Sequence, residues 1–156
     1  SAVGIQSGSI FHHFKSKEAI LKAVMEETII YNTLRMKSEL ENALTSKDKV
    51  LALIMCELES INGVTGDAMA VLVYEWRSLS EANQTDILKL RTEYEDLWLL
   101  ALNQAKEEGL ISGDVFILRR FLTGALSWSK TWFNTKGGMT LKQLAEEALQ
   151  LAVKSN

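Results

Sequence analysis

Not one proline occurs in 156 residues, and apolar side chains recur every three or four positions along most of the chain. Proline breaks helices because it lacks an N–H and clashes with the preceding turn, so its absence leaves long helices uninterrupted. No segment keeps the strict alternation of a half-buried strand. Together these features predict an all-α fold with short connections.

Local signals place the helices. Ser16 is an N-cap for a helix that starts at Lys17, carries Glu18 in its first turn and runs to about residue 44. Its apolar positions include Ile20, Leu21, Val24, Tyr31 and Leu34. A second helix starts near Ser46, carries Val50, Leu51, Ile54, Met55 and Leu58, and stops at the Asn62-Gly63 turn. A shorter one is predicted from about Asp67 to Ser78. The clearest pattern runs from Ser80 to Glu108, with Ile87, Leu90, Tyr94, Leu97, Trp98, Ala101 and Ala105 on one side and Gly109 as a left-handed C-terminal residue. "SGD" at 112–114 leads into a helix with Leu118, Phe121, Leu122, Ala125, Trp128 and Trp132, which "KGG" at 136–138 ends. Thr140 caps the last helix, whose face carries Leu141, Leu144, Ala145, Ala148 and Ala152.

Composition narrows the function. A hydrophobic content of 47% supports a sizeable core, and 24% charged residues suit a solvated surface. No apolar run reaches the length of a membrane span, and no signal-peptide pattern opens the chain, so a cytoplasmic protein with no membrane partner is expected. The single Cys56 lies among Leu53, Ile54 and Leu58 and reads as a buried, inert thiol. Net charge is −3, unevenly spread. Residues 1–17 carry Lys15, Lys17, His12 and His13 with no acid, whereas residues 51–156 hold 10 basic and 14 acidic side chains. A non-acidic tip on an acidic body is compatible with local phosphate contact.

Catalysis and metal binding find little support. His12 and His13 are adjacent, so on a helix they point about 100° apart and do not share one ion easily. Ser7 and Ser9 with His12 supply hydrolase residue types without a strained nucleophile turn. No enzyme activity, metal or cofactor is expected. The stretch "YEWRSLSEANQTDILKLRTEYEDLW" interleaves aromatics with charges, and these side chains suit either a core with solvated charges or the wall of an effector pocket. The pocket reading takes Leu72, Trp76, Tyr94, Leu97 and Trp98 as its wall, Phe121 and Trp128 as its lateral closure, and Arg77 or Arg91 as the anion contact at its mouth. The last two helices, with Gly124 and Ala125 between large aromatics, can bury their stripes within one chain or pair them between two copies as a four-helix bundle.

The opening stretch "VGIQSGSIFHHFKSKEAIL" fits a helix-turn-helix whose turn is Gly4 and whose second helix spans roughly Ser7 to Phe14. Small residues at that helix's N-terminus let backbone amides approach phosphates and base edges. Gly4, Ile5, Gly8, Ile10, Phe11, Phe14, Ser16, Lys17, Glu18 and Ile20 resemble, in order and without gaps, the recognition-helix signature of the tetracycline-repressor family of bacterial transcription regulators. The segment 74–98 further resembles the branch of that family that senses acyl-coenzyme A thioesters.

What the resemblance implies is specific. Residues 1–44 would be the end of a helix-turn-helix DNA-binding domain with its linking helix, and 45–156 an effector-binding and dimerisation domain. The first helix of that family's DNA-binding domain and most of its second would precede Ser1, with residues 1–3 ending the first helix of the motif. Ser7, Gly8, Ser9, Phe11, His12, His13 and Lys17 would contact double-stranded operator DNA. Gly124, Ala125, Trp128, Trp132, Leu141, Leu144 and Ala148 would form the interface of a homodimer, and a small hydrophobic or amphipathic effector would release the repressor. The contrasting expectation is a helical-bundle carrier of lipid or another hydrophobic ligand that binds no DNA.

Overall fold

The computed structural model describes residues 16–63 and 66–155, apart from the side chains of Met69, Val71, Leu72 and Val73. The described residues form α1 (Lys17–Asn42), α2 (Ser46–Asn62), α3 (Gly66–Tyr74), a 3₁₀ turn (Trp76–Ser78), α4 (Glu81–Glu107), α5 (Val115–Trp132) and α6 (Leu141–Ala152). The all-α expectation holds for all of them.

Most helix starts follow local chemistry. Ser16, Thr45, Ser80 and Asp114 each accept a hydrogen bond from the backbone three residues on. Thr140 and Gln143 satisfy each other's backbone N–H groups in a capping box. Gly109 ends α4 at φ 81°, and Leu110 N donates back to Ala105 O across the turn. Two ends differ from the sequence reading. α3 stops at Tyr74 and gives way to the 3₁₀ turn, and α5 stops at Trp132, ahead of the glycine pair.

α2 is the central helix, packed against α1, α4, α5 and α6. Leu53, Ile54 and Leu58 of α2 meet Trp98 and Leu102 of α4, Leu122 and Leu126 of α5, and Ala145 and Leu149 of α6 in the main core. A second core joins Met25 and Ile29 of α1 to Leu79 and Ile87. Cys56 is buried as expected, and desolvation pushes its thiol up to about 11, so it stays protonated and inert at neutral pH.

α1 turns a different face inward from the one its apolar residues suggest. Val24, Tyr31 and Leu34 are exposed, whereas Thr28, Asn32 and Thr33 are buried beside Met25, Ile29 and Met36. The polar side chains tolerate burial because each has a partner. Thr28 and Thr33 donate to the carbonyls of Val24 and Ile29, and Asn32 donates to Ser60 Oγ at 2.8 Å.

Candidate functional site

The structure sorts the predicted site residues into three places. The first is the N-terminal end of α1. Ser7, Gly8, Ser9, Phe11, His12 and His13 lie outside the described residues, while Lys17 occupies the exposed first position of α1. Just behind it, Glu18 accepts from the backbone N of Ser80 at 2.6 Å and from Asn83 Nδ2 at 2.8 Å, and Lys22 donates to Asp86 at 2.7 Å. The backbone bond from Ser80, aided by Asn83, lowers the Glu18 pKa; the hydrogen bond with Asp86 raises that of Lys22, and the same contact lowers that of Asp86. A polar joint thus ties the start of α1 to the start of α4.

The second place is the aromatic cluster expected to wall a pocket, and here the reading needs correction. Trp98 is fully buried and Tyr94 half-buried, but the space beside them is occupied by Arg119. Its guanidinium lies 4.3 Å from the Trp98 ring centroid and 6.0 Å from that of Tyr94. It binds Glu57 through Nη1 and Nη2 at 3.0 and 2.9 Å, and Glu95 through Nε and Nη2 at 2.8 and 2.9 Å. The Tyr94 hydroxyl donates to Glu57 at 2.6 Å. Burial, reinforced by the Glu57 charge, raises the Tyr94 pKa well above normal. Burial alone would lower that of Arg119, yet its bonds to Glu95 and Glu57 outweigh it and the net shift is upward.

The remaining pocket candidates scatter. Leu97 packs against the main core, whereas Trp76 belongs to the second core. Arg77 and Arg91 are exposed, and the side chain of Leu72 is not among those described. Phe121 and Trp128 cannot close a cavity beside Trp98, because they point outward, 73% and 66% exposed, from the side of α5 opposite Arg119 and Leu122.

Those two residues belong instead to the third place, an outward face on α5 and α6. Ile117, Phe121, Ala125, Trp128 and Trp132 step by three or four along α5 and are all exposed. Gly124 lies open beside them, with nothing within 4 Å of where its Cβ would stand. On α6, Leu141, Leu144 and Ala148 are half-buried against the main core, and Leu151 is 90% exposed. An apolar band of this kind marks a contact surface rather than a solvated one.

Two features escaped the sequence reading. Arg119 sits on the buried stripe Val115, Arg119, Leu122, Leu126, Ser129, and Glu57 on the stripe Leu53, Ile54, Glu57, Leu58. Opposite charges on two apolar stripes were the available signal for a buried pair. The other feature is an open cleft of about 390 Å³ between the C-terminal part of α1, α2 and the first turn of α6. Leu51, Met55 and Cys56 line it, with Arg35, Glu39 and Lys142 among its charged side chains. Among the described residues no group of three or more His, Cys, Asp or Glu side chains is arranged to hold a metal ion, and no helix is long and apolar enough to cross a membrane.

Comparison with known proteins explains this layout. The family described as "Tetracyclin repressor-like, C-terminal domain" matches residues 44–155, and "Bacterial regulatory proteins, tetR family" matches residues 1–24. The chain belongs to the tetracycline-repressor family. A relative from Mycolicibacterium smegmatis, the HTH-type transcriptional repressor KstR2, is 27% identical over 157 residues, which cover 97% of this chain and 75% of KstR2. The crystal structure of superantigen PfiT is 64% identical, with a TM-score of 0.86 over 99% of this chain and 82% of that one. A crystal structure of AibR in complex with isovaleryl coenzyme A and operator DNA is 19% identical, with a TM-score of 0.80 over 95% of this chain and 80% of that one. At 19% identity that likeness is one of fold alone. The resemblance read from residues 3–20 therefore named the right family.

Proposed function

We propose that this protein is a cytoplasmic, homodimeric repressor that leaves its operator when a small, largely apolar or amphipathic effector of the acyl class binds its helical body. The outward apolar band on α5 and α6 carries the reading, because a regulator of this family that reads two half-sites needs a second copy, and this face has the residues to hold one. In the pair, Gly124, Ala125, Trp128, Trp132, Leu141, Leu144 and Ala148 meet their symmetry mates. Two recognition helices then address successive major grooves, which recur every ~34–36 Å.

Residues 1–44 supply the DNA-reading end and its linking helix, and 45–156 supply effector binding and dimerisation. Ser7, Gly8, Ser9, Phe11, His12 and His13 approach the groove while Lys17 holds a phosphate. The effector must prefer the conformation that cannot bind DNA, since equal affinity for both would shift nothing. The acyl class is supported by AibR, whose structure holds isovaleryl coenzyme A together with operator DNA. The polar joint of Glu18 and Lys22 with α4 gives α4 a direct hold on the start of the linking helix α1.

The test is the Lys17→Ala variant. Binding to cognate and unrelated duplexes should weaken alike, and the slope of log affinity against log salt should fall by about one unit. A loss confined to the cognate operator would refute the phosphate role. The carrier reading has no observation in its favour beyond the apolar content of the body. The 64% identity to PfiT supports a second reading, superantigen activity of this chain, which a T-cell proliferation assay with endotoxin-free protein would test directly.

A further inference from the structure

The open cleft beside α2, about 390 Å³, is within the size range of small-molecule sites. α1 and α6 both line it, so its walls come from two helices and its floor from α2 between them. Leu51, Ala52 and Met55 make that floor apolar, and each keeps part of its surface uncovered. Leu44, 92% exposed at the connection from α1 to α2, continues it as a lip.

The charges around this floor are of two kinds. Arg35 and Glu59 pair with each other and add no net charge. Glu39 on the α1 wall, Asp48 at the start of α2 and Lys142 on the α6 wall are exposed. None of these three forms an ion pair among the described residues. Glu39 stands in the last turn of α1, which holds no basic residue, and Lys142 in the first turn of α6, which holds no acidic one. Each thus sits at the helix end whose dipole shares its sign, a placement that an opposite charge from outside relieves. The chain breaks a local rule twice on two walls of one cavity, which is where functional sites break such rules.

We propose that this cleft binds a small zwitterion whose ammonium and carboxylate are separated by an apolar stretch. The ammonium meets Glu39 and Asp48, the carboxylate meets Lys142, and the chain between them lies on Leu51, Ala52 and Met55. A plain fatty acid answers Lys142 alone and faces the two carboxylates with nothing to offer them. An alkylamine answers the carboxylates and leaves Lys142 unmet. The site shares no lining residue with the Trp98 cluster, and it stands or falls apart from the effector reading above. A ligand that bridges its walls would join the linking helix α1 to α6 of the outward face.

Isothermal titration of the chain with 8-aminooctanoate, octanoate and octylamine tests the assignment, because the three share one apolar length. 8-Aminooctanoate should bind about fivefold tighter than either singly charged analogue, the gain from one more exposed ion pair. Glu39→Gln combined with Asp48→Asn should reduce it to the level of octanoate, and Lys142→Gln to that of octylamine. Ala52→Trp, provided circular dichroism shows it folded, should fill the floor and weaken all three. The inference is overturned if the zwitterion binds no tighter than both analogues, if the charge variants keep its advantage, or if millimolar ligand gives no heat of binding. No operator enters these measurements, so their failure leaves the Lys17 test of the regulator reading standing.

Discussion

Trp128 offers the sharpest test of the outward face, because the sequence assigns it both to a pocket and to an interface and the structure separates the two. A tryptophan side chain presents about 250 Å² when free. With 66% of the residue exposed, about 165 Å² faces outward, worth about 4 kcal/mol if a partner covers it at about 25 cal/mol per Å². A two-fold pair uses the residue twice, which sets an upper bound of about 8 kcal/mol. Alanine retains part of that area, and ordering the interface consumes more, so Trp128→Ala should weaken dimerisation by about 4 kcal/mol, or about a thousandfold in Kd. Trp128→Glu adds a desolvated charge and should leave monomers at micromolar concentration. The monomer fold loses little, since the side chain touches little within its own chain. Sedimentation equilibrium over a dilution series reads the Kd, and circular dichroism checks the fold. A Trp128→Glu protein that dimerises within about tenfold of the unaltered Kd would refute the area argument.

Other consequences follow from the buried network and the polar joint. Arg119→Met strands Glu57 in the core and should cost about 3–5 kcal/mol in urea unfolding, and adding Glu57→Leu should recover much of the loss. An undiminished midpoint for the single variant would mean that Glu57 finds water when Arg119 is gone. The Glu18 pKa is lowered in the folded protein, so its stabilisation is present above the unfolded carboxylate value and lost as pH falls through the folded one. That of Lys22 is raised, so its share is present below the unfolded ammonium value and lost as pH climbs through the folded one. Glu18→Gln should flatten the acid limb of the melting profile and leave the alkaline limb in place, which thermal unfolding across pH would show.

Helix positions were legible because caps and turns are local. Ser16, Thr140 with Gln143, and Gly109 act on their own few residues, so spacing alone reveals them. Faces were legible only where apolar residues mark them. On α1 the inward stripe includes Asn32, whose partner Ser60 stands 28 residues away, and hydrophobicity alone turned Tyr31 and Leu34 the wrong way. The surroundings of Tyr94 and Trp98 were illegible for a related reason. Tyr94 and Trp98 at helical spacing line a cavity or a core according to what fills the space beside them, and the filling group, Arg119, arrives from another helix. The family signature was legible in residues 3–20, but the contacts of Ser7 to His13 lie outside the described residues.

The Glu57–Arg119–Glu95 cluster also bears on how the chain is made. Synthesis delivers Glu57 and Glu95 before Arg119, whose partners lie 62 and 24 residues upstream. Until residue 119 emerges, closing α2 onto α4 would bring two carboxylates together without a cation, and burying them unpaired costs several kcal/mol. α2 also keeps an uncovered side until α6 is made, since Ala145 and Leu149 close its core. The nascent body should therefore stay open on the ribosome and snap shut only after its last helices appear. A chain stopped at residue 114 is expected to be cut rapidly by protease where the whole chain resists; equal resistance would mean that α1 to α4 fold without the cation.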